Sequence, residues 1–400
     1  MKRTWEESMK KSEHAIGEEV DPARVSADAT LHPGCRLLGA RTLICEGAEL
    51  GAEAPVTVKD CYIGPNVKLK GGYFEGAVFL EGAEAGSGSH VRAGTILEEQ
   101  ASIAHTVGLK HTVLFPFVTL GSLINFCDCL MAGGTSRKDH SEVGSSYIHF
   151  NYTPNQDKAT ASLIGDVPQG VMLDNKPIFL GGQGGLVGPC RIAYGTVIAA
   201  GSIYRKDQLK PDRLVFEGGG RGGSVPYSAG IYRNVKRQVF NNFVYLANLS
   251  ALMAWYIHVR RLFVGDRFPQ PLYEGLTGTL ELAIEERIKR FVAFCEKLKG
   301  SKSRYLQQMG DSASDKLLRQ KDELYVGREK AGDLLRSCLE EIRRMDQPPF
   351  SEIIGEYAGH DYIDAIRNLK PEERTTGSNW LQQIVDDVTG RLLDLYPSLR

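Results

Sequence analysis

A spacing of six governs what this chain can fold into. Val91, Leu97, Ile103, Leu109 and Phe115 follow one another at six-residue intervals, and Leu180, Leu186, Ile192, Ile198 and Tyr204 do so again. A helix repeats its apolar residues at three and four and a lone strand at two, so neither explains the period. Four residues after most of these positions comes a smaller residue, namely Thr95, Ala101, Val107, Val113, Thr119, then Cys190, Thr196 and Ser202, while Gly94, Gly195 and Gly201 follow at three. Each six-residue unit therefore reads as one short strand plus a corner, and three units as one triangular coil of a parallel β-helix. The large residue fills the prism, the smaller one fits where inner faces meet, and glycine takes corners where a Cβ is unwelcome. No single unit buries its apolar face, whereas stacked coils do; stability then accumulates along the axis and open ends need caps.

The same period starts at Leu31, Leu37 and Leu43, slips near 47–57, and resumes at Cys61, Val67, Tyr73, Phe79 and Ala85. Between Phe115 and Leu180 it is interrupted by AGGTSRKDHS at 132–141 and NYTPNQDKAT at 151–160, both too polar for a prism interior. Loops leaving a rigid scaffold are where function concentrates. From about Tyr232 the spacing becomes helical, with stripes through Val235–Phe263, Leu280–Leu298, 313–346 and 379–396, the third ended by Pro348 and Pro349. The expected fold is a β-solenoid followed by an α-helical C-terminal domain. Its expected divisions are a helical lead-in at 1–27, the solenoid at 28–210, a Gly-rich linker at 211–230 and the helical domain at 231–400.

With 48 basic and 49 acidic residues the net charge is −1, so no bulk attraction to nucleic acid or membrane is expected and any anion site must be local. The eight cysteines lack paired CxxC spacing and several occupy repeat positions, which predicts buried reduced thiols. Met1–Glu19 is charged without an apolar stretch, and no apolar run approaches the roughly 20 residues of a membrane span. A cytoplasmic protein is expected.

HVRAGTILEE at 90–99, VGLKHTVL at 107–114, HFNYTPNQDKAT at 149–160 and GGQGGLVGPCRIAYGTVIAAGSIYRKD at 181–207 stand in the order of an acetyltransferase domain. The stretch resembles the hexapeptide-repeat domain of the bifunctional bacterial enzyme that makes UDP-N-acetylglucosamine, a left-handed β-helix that moves acetyl from acetyl-CoA to glucosamine-1-phosphate. The resemblance implies that Arg92 and Lys110 bind phosphate, that Asn151 and Tyr152 line the sugar and acetyl end, that Lys158 stands for a further lysine, and that Ala200 meets the CoA arm. It also implies a homotrimer with active sites between prisms. Two positions depart from the pattern. Ser122 stands where the family has its catalytic histidine, and a serine is no base at neutral pH; Gly182 stands where it has a CoA-contacting serine. His140 and His149 are the candidate replacement bases. The family's nucleotidyltransferase half has no counterpart in these residues.

The leading expectation is a CoA-dependent acyltransferase, with acetyl-CoA as co-substrate, acting on an amino-sugar phosphate or UDP-sugar and requiring no metal. A non-catalytic trimeric sugar-nucleotide scaffold is the alternative from another class. The third reading, a zinc carbonic anhydrase, rests on His105 and His111 being six apart, with His90 upstream.

Overall fold

The computed structural model describes residues 15–217, 224 and 227–400. The first 14 residues of the expected lead-in and much of the Gly-rich stretch lie outside them. Ala15–Ile16 is already a strand, paired in parallel with Arg36 and Leu37, so the coils begin before residue 28.

Short parallel strands stack on three faces. Face one runs from Ala15–Ile16 through Ser89–Val91 to Ile203–Tyr204, face two from Leu43–Ile44 through Thr95–Leu97 to Arg191–Ile192, and face three from Thr30–Leu31 through Ser102–Ile103 to Leu214–Val215. The last strand carries the prism past residue 210, into the stretch expected as linker.

Large side chains form one inward column per face. On face one the column is Leu37, Val58, Phe74, Val91, Leu109 and Phe126, continued by His149, Leu186 and Tyr204. Leu97, Ile103, Leu180, Ile192 and Ile198 occupy the equivalent columns of the other faces. The period slips twice where the sequence suggested it would hold. Phe74 points inward, whereas the Tyr73 ring stacks outside on His90 with centroids 5.2 Å apart. Leu114 takes the interior place expected of Phe115, because the strand Gly108–Leu114 turns its corner on one residue, His111, at φ 46°. One coil there spans 17 residues, as the pairing of Leu97 with Leu114 shows.

Face two is apolar on its outside too. Val78, Ile96, Val113, Leu130 and Leu163 point away from the prism and are all buried, because helices lie on them. We number these α1 (Val167–Gly170), α2 (Lys236–His258), α3 (Gln270–Met309), α4 (Asp315–Arg344), α5 (Pro349–Gly355), α6 (Tyr362–Asn368) and α7 (Pro371–Asp394). The stripes expected through Val235–Phe263, 313–346 and 379–396 fold largely as α2, α4 and α7, the first ending at His258 and the last starting eight residues early; α3 is longer than its stripe at Leu280–Leu298, and α5 and α6 carried no period long enough to read. Helix α2 is central, with every residue from Tyr245 to Tyr256 buried. Helix α3 runs along face two, touching the strands Tyr62–Ile63, Ala77–Phe79 and Thr95–Leu97, and Gly275 lies so close to the Tyr62 ring that a Cβ has no room.

Polar groups fasten this interface at a few points. The Tyr256 hydroxyl donates to Glu98 and the Arg260 guanidinium pairs with Glu99, all four side chains being buried. Burial, then the charge of Glu99, pushes the Glu98 carboxyl up to about 8. All eight cysteines are free and buried. No helix among the described residues is long and apolar enough to cross a membrane.

Candidate active site on face one

Because each outward position recurs once per coil, residues far apart in sequence form ladders along the axis. One ladder stands at the edge where face one turns into face two, and holds Arg92, Lys110, Cys127 and Phe150 in successive coils. Arg92 leans along it, its Nη2 reaching Cys127 Sγ at 3.7 Å. Burial and Asp128 raise the Cys127 thiol, while Arg92, Lys158 of the polar loop 151–160, and Lys110 act to lower it. Among the described residues none of the three has a carboxylate within ion-pair distance, which leaves a local concentration of positive charge on a chain of nearly zero net charge.

Behind that edge lies a buried hub. Asp128, in left-handed conformation at φ 62°, pairs with Arg287 of α3 at 2.8 Å, both side chains 3% exposed. Asn151 Nδ2 donates to the other Asp128 oxygen at 2.8 Å, and Arg287 Nη1 donates to the carbonyl of Lys158 at 3.1 Å. The helices pin the rest of the loop: Lys297 donates to the carbonyls of Asn155 and Gln156 at 2.7 and 2.6 Å, and the Tyr232 hydroxyl to Asp157 at 2.7 Å. A loop too polar for the prism interior is thus held by side chains between 75 and 142 residues downstream. Tyr152 stays more than half exposed.

The opposite edge of face one, where face three turns into it, is a second ladder. Backbone hydrogen bonds step from His105 to Leu123, Ser122 to Ser146, Ser145 to Gln183 and Gly182 to Gly201. His105, Ser122, Gly182 and Ala200 therefore share one edge. His105 Nδ1 and Ser122 Oγ lie 2.8 Å apart, with the imidazole exposed. An imidazole thus sits one coil from Ser122, within hydrogen-bond distance of it. The sequence carried the signal, since His105 precedes Ser122 by 17 residues, one coil here, one residue short of three six-residue units.

The two histidines singled out as replacement bases sit elsewhere. His149 lies inside the prism, 3% exposed, between Phe126 and Leu186 in the inward column. Its Nδ1 meets the Cys127 carbonyl at 2.6 Å and its Nε2 meets Ser162 Oγ at 2.8 Å. Burial pushes it down to about 4, and with both nitrogens engaged it faces no substrate. His140 lies on a two-stranded hairpin, Gly134–Ser136 with Asp139–His140, at the corner between faces two and three. Arg137 of that hairpin binds the carbonyls of Gln100 and Phe117 at 3.0 and 2.8 Å. His140 is therefore on neither edge of face one. His90, His105 and His111 stand mid-face and on two different corners, because a six-residue step turns the chain by one face; within one prism they do not converge as the zinc reading needs. Among the described residues no three His, Cys, Asp or Glu side chains group closely enough to hold a metal ion.

Face one is thus a bed with cations on one side and an imidazole with a small-residue ladder on the other. Lys110 and His105 are five residues apart, at most about 16 Å of extended chain.

No protein-family model matches the chain. Among curated proteins, a bifunctional protein GlmU of Nocardia farcinica is 28% identical over 208 residues, covering 50% of this chain and 38% of the relative. The bifunctional protein GlmU of Clavibacter sepedonicus is 29% identical over 185 residues, 46% and 33% of the two chains, and that of Thermotoga petrophila 27% over 184 residues, 46% and 36%. The matches span about a third of each relative's length. Two solved structures, a polysialic acid O-acetyltransferase OatWY and an Arabidopsis UDP-N-acetylglucosamine acyltransferase, are 14% and 15% identical with TM-scores of 0.18 and 0.21, covering 56% and 73% of this chain and 90% and 97% of theirs. The six-residue period, the three parallel faces and the alignment with the GlmU relatives fit the hexapeptide-repeat left-handed β-helix family, and this chain resembles that family's acetyltransferase domain.

Proposed function

We propose that the chain is a CoA-dependent acyltransferase that acylates the amino group of an anionic sugar lying across face one. The observation that carries this reading is the pairing of the two edges: three cations without carboxylate partners among the described residues on one, an exposed imidazole bonded to Ser122 on the other. Arg92, Lys110 and Lys158 hold the phosphate, a guanidinium fork and two ammonium groups being suited to its oxygens. Asn151, fixed by Asp128, and Tyr152 orient the sugar. Gly182 and Ala200 leave room for the arm of acetyl-CoA along the second edge.

His105 is the base in this proposal. With Ser122 Oγ accepting from Nδ1–H, Nε2 keeps its lone pair toward the bed. As the sugar nitrogen attacks the thioester carbonyl carbon, Nε2 takes the amine proton; the carbon–sulfur bond then breaks, and the departing thiolate receives that proton. The homotrimer belongs to the same proposal. Ile148, Phe150 and Ile203 on face one and Phe179, Val197 and Leu214 on face three are exposed apolar residues that a neighbouring prism covers, and sedimentation velocity measures the mass.

Thiol release from acetyl-CoA in the presence of glucosamine-1-phosphate or UDP-glucosamine tests the chemistry. The wild type is expected to turn over, His105→Ala to lose at least 100-fold in kcat, and Arg92→Ala to raise KM for the sugar. No release with either sugar, or equal rates for His105→Ala and wild type, overturns the enzyme reading. Sugar binding without any response to CoA favours the scaffold instead.

A further inference from the structure

Beyond the C-terminal end of α2, the turn Arg260–Phe263 and the loop 265–268 meet the prism corner between faces two and three, and with the start of α6 they bound a cavity of about 290 Å³. Arg260 lines it while being only 2% exposed. Its Nη2 pairs with Glu99, and the rings of Tyr362 and Phe268 lie over its guanidinium carbon with centroids 3.7 and 4.7 Å away. Its Nε and Nη1 have no hydrogen-bond partner among the described residues, and neither has Oε2, the second carboxylate oxygen of Glu99. With Nη2 taken and two rings covering the carbon, the Nε–Nη1 edge is what Arg260 presents to the cavity. Buried charged groups left unpaired are costly, so this edge and the free Glu99 oxygen favour a ligand that pairs both.

The other charges decide what kind of ligand that is. Glu81 pairs with Arg267, and Asp361 both faces Arg267 at 3.4 Å and caps α6 through the Ile363 N–H at 2.9 Å. Asp266, exposed at the rim, has no ion-pair partner among the described residues. The four carboxylates of the lining outnumber its guanidinium groups, Arg260 and Arg267. A lone anion drawn to Arg260 meets this acidic surround, and a lone cation drawn to the carboxylates leaves the Arg260 edge unpaired. A zwitterion meets both demands.

We propose that this cavity binds a free α-amino acid, its carboxylate accepting from Nε and Nη1 of Arg260 and its ammonium donating to Glu99 Oε2. The two open edges belong to one ion pair and so lie side by side, as carboxylate and ammonium do on a single carbon. A guanidinium edge holding a carboxylate through two parallel hydrogen bonds is the strong form of this contact. The volume falls at the small end of ligand sites, about 300–1,000 Å³, as a molecule of this size requires. The corner between faces two and three stands opposite face one, so the site is separate from the acyl-transfer bed and independent of that reading. Because prism and helices both supply its walls, a bound ligand ties them together and raises the melting temperature.

The test melts the full chain with each common L-amino acid at millimolar concentration. The one giving the largest shift is then titrated calorimetrically beside the acid lacking its amino group and the amine lacking its carboxylate. At least one amino acid is expected to raise the melting temperature and to bind at least ten-fold more tightly than either truncated analogue. Gly265→Trp, at a rim position where an added side chain finds open space, is expected to block the cavity and abolish binding. Glu99→Gln, which keeps an oxygen for Arg260 and loses the charge opposite the ammonium, is expected to weaken it at least ten-fold, and Arg92→Ala on face one to leave it unchanged. No shift with any amino acid, an analogue that binds as tightly, binding undiminished in folded Gly265→Trp, or binding lost in Arg92→Ala each overturns the assignment.

Discussion

At the scale of single residues, His149 shows how one side chain reads differently from the sequence and in place. Preceding the Asn151–Tyr152 pair, it suggested chemistry, yet the two-residue alternation of its strand turns it inward while Ile148 and Phe150 point out. Its ring fills the column and satisfies Ser162 and the Cys127 carbonyl, so its role is packing. His149→Ala leaves a cavity and two polar groups short of a partner, at a cost of about 3 kcal/mol, measurable by urea unfolding; acyl transfer per folded molecule is expected to persist, unlike in His105→Ala. That Arg92 and Lys110 stand on one edge was readable from their spacing of one coil. That His105 meets Ser122 was not, because coil length becomes visible only when the corner at His111 is known to turn on a single residue.

At the scale of elements, the contact between α2 and the prism joins opposing charges and carboxyl groups in a dry interface. Glu98, raised to about 8 by burial and by Glu99, takes up its proton in the folded chain over a range where the unfolded chain has already released it. From the ordinary value of 4.5 up to about 8 the folded state binds more protons, so this group makes stability fall as pH rises. His149 and His111, both lowered to about 4 by burial, act oppositely, and their stabilisation is lost as pH falls from about 6.5 toward 4. Above pH 6.5 the glutamate is left as the principal slope among these three. Unfolding free energy is therefore expected to drop by roughly 1–2 kcal/mol between pH 6.5 and 8, and Glu98→Gln to flatten that drop; an unchanged slope in the variant refutes the assignment. Helices α2, α4 and α7 were legible from their stripes. Their docking was not, although face two announces it: AVF, TIL and CLM at 77–79, 95–97 and 129–131 are buried on both sides, where a strand facing water alternates.

At the scale of the whole molecule, the helices close one face of the prism and brace the loop that carries Asn151 and Lys158, leaving faces one and three open. Removing residues 218–400 uncovers Val78, Ile96, Val113, Leu130 and Leu163 in one continuous strip, and a chain of residues 1–217 is expected to aggregate; a monodisperse fragment by light scattering contradicts this. The prism itself was legible because its period is local, whereas the joining of prism and helices depends on contacts such as Asp128 with Arg287 that no spacing announces. The run of α3 along successive rungs carries a last consequence. An open solenoid gains or loses a rung with little penalty, since each rung meets only its neighbours. Here a rigid rod of 40 residues, about 60 Å, is registered at Tyr62 by Gly275 and at Asn155 by Lys297. One inserted rung, about 4.8 Å, slides the loop away from its anchors, so the rod acts as a ruler, and lineages that keep it are expected to hold their rung number fixed between those two marks.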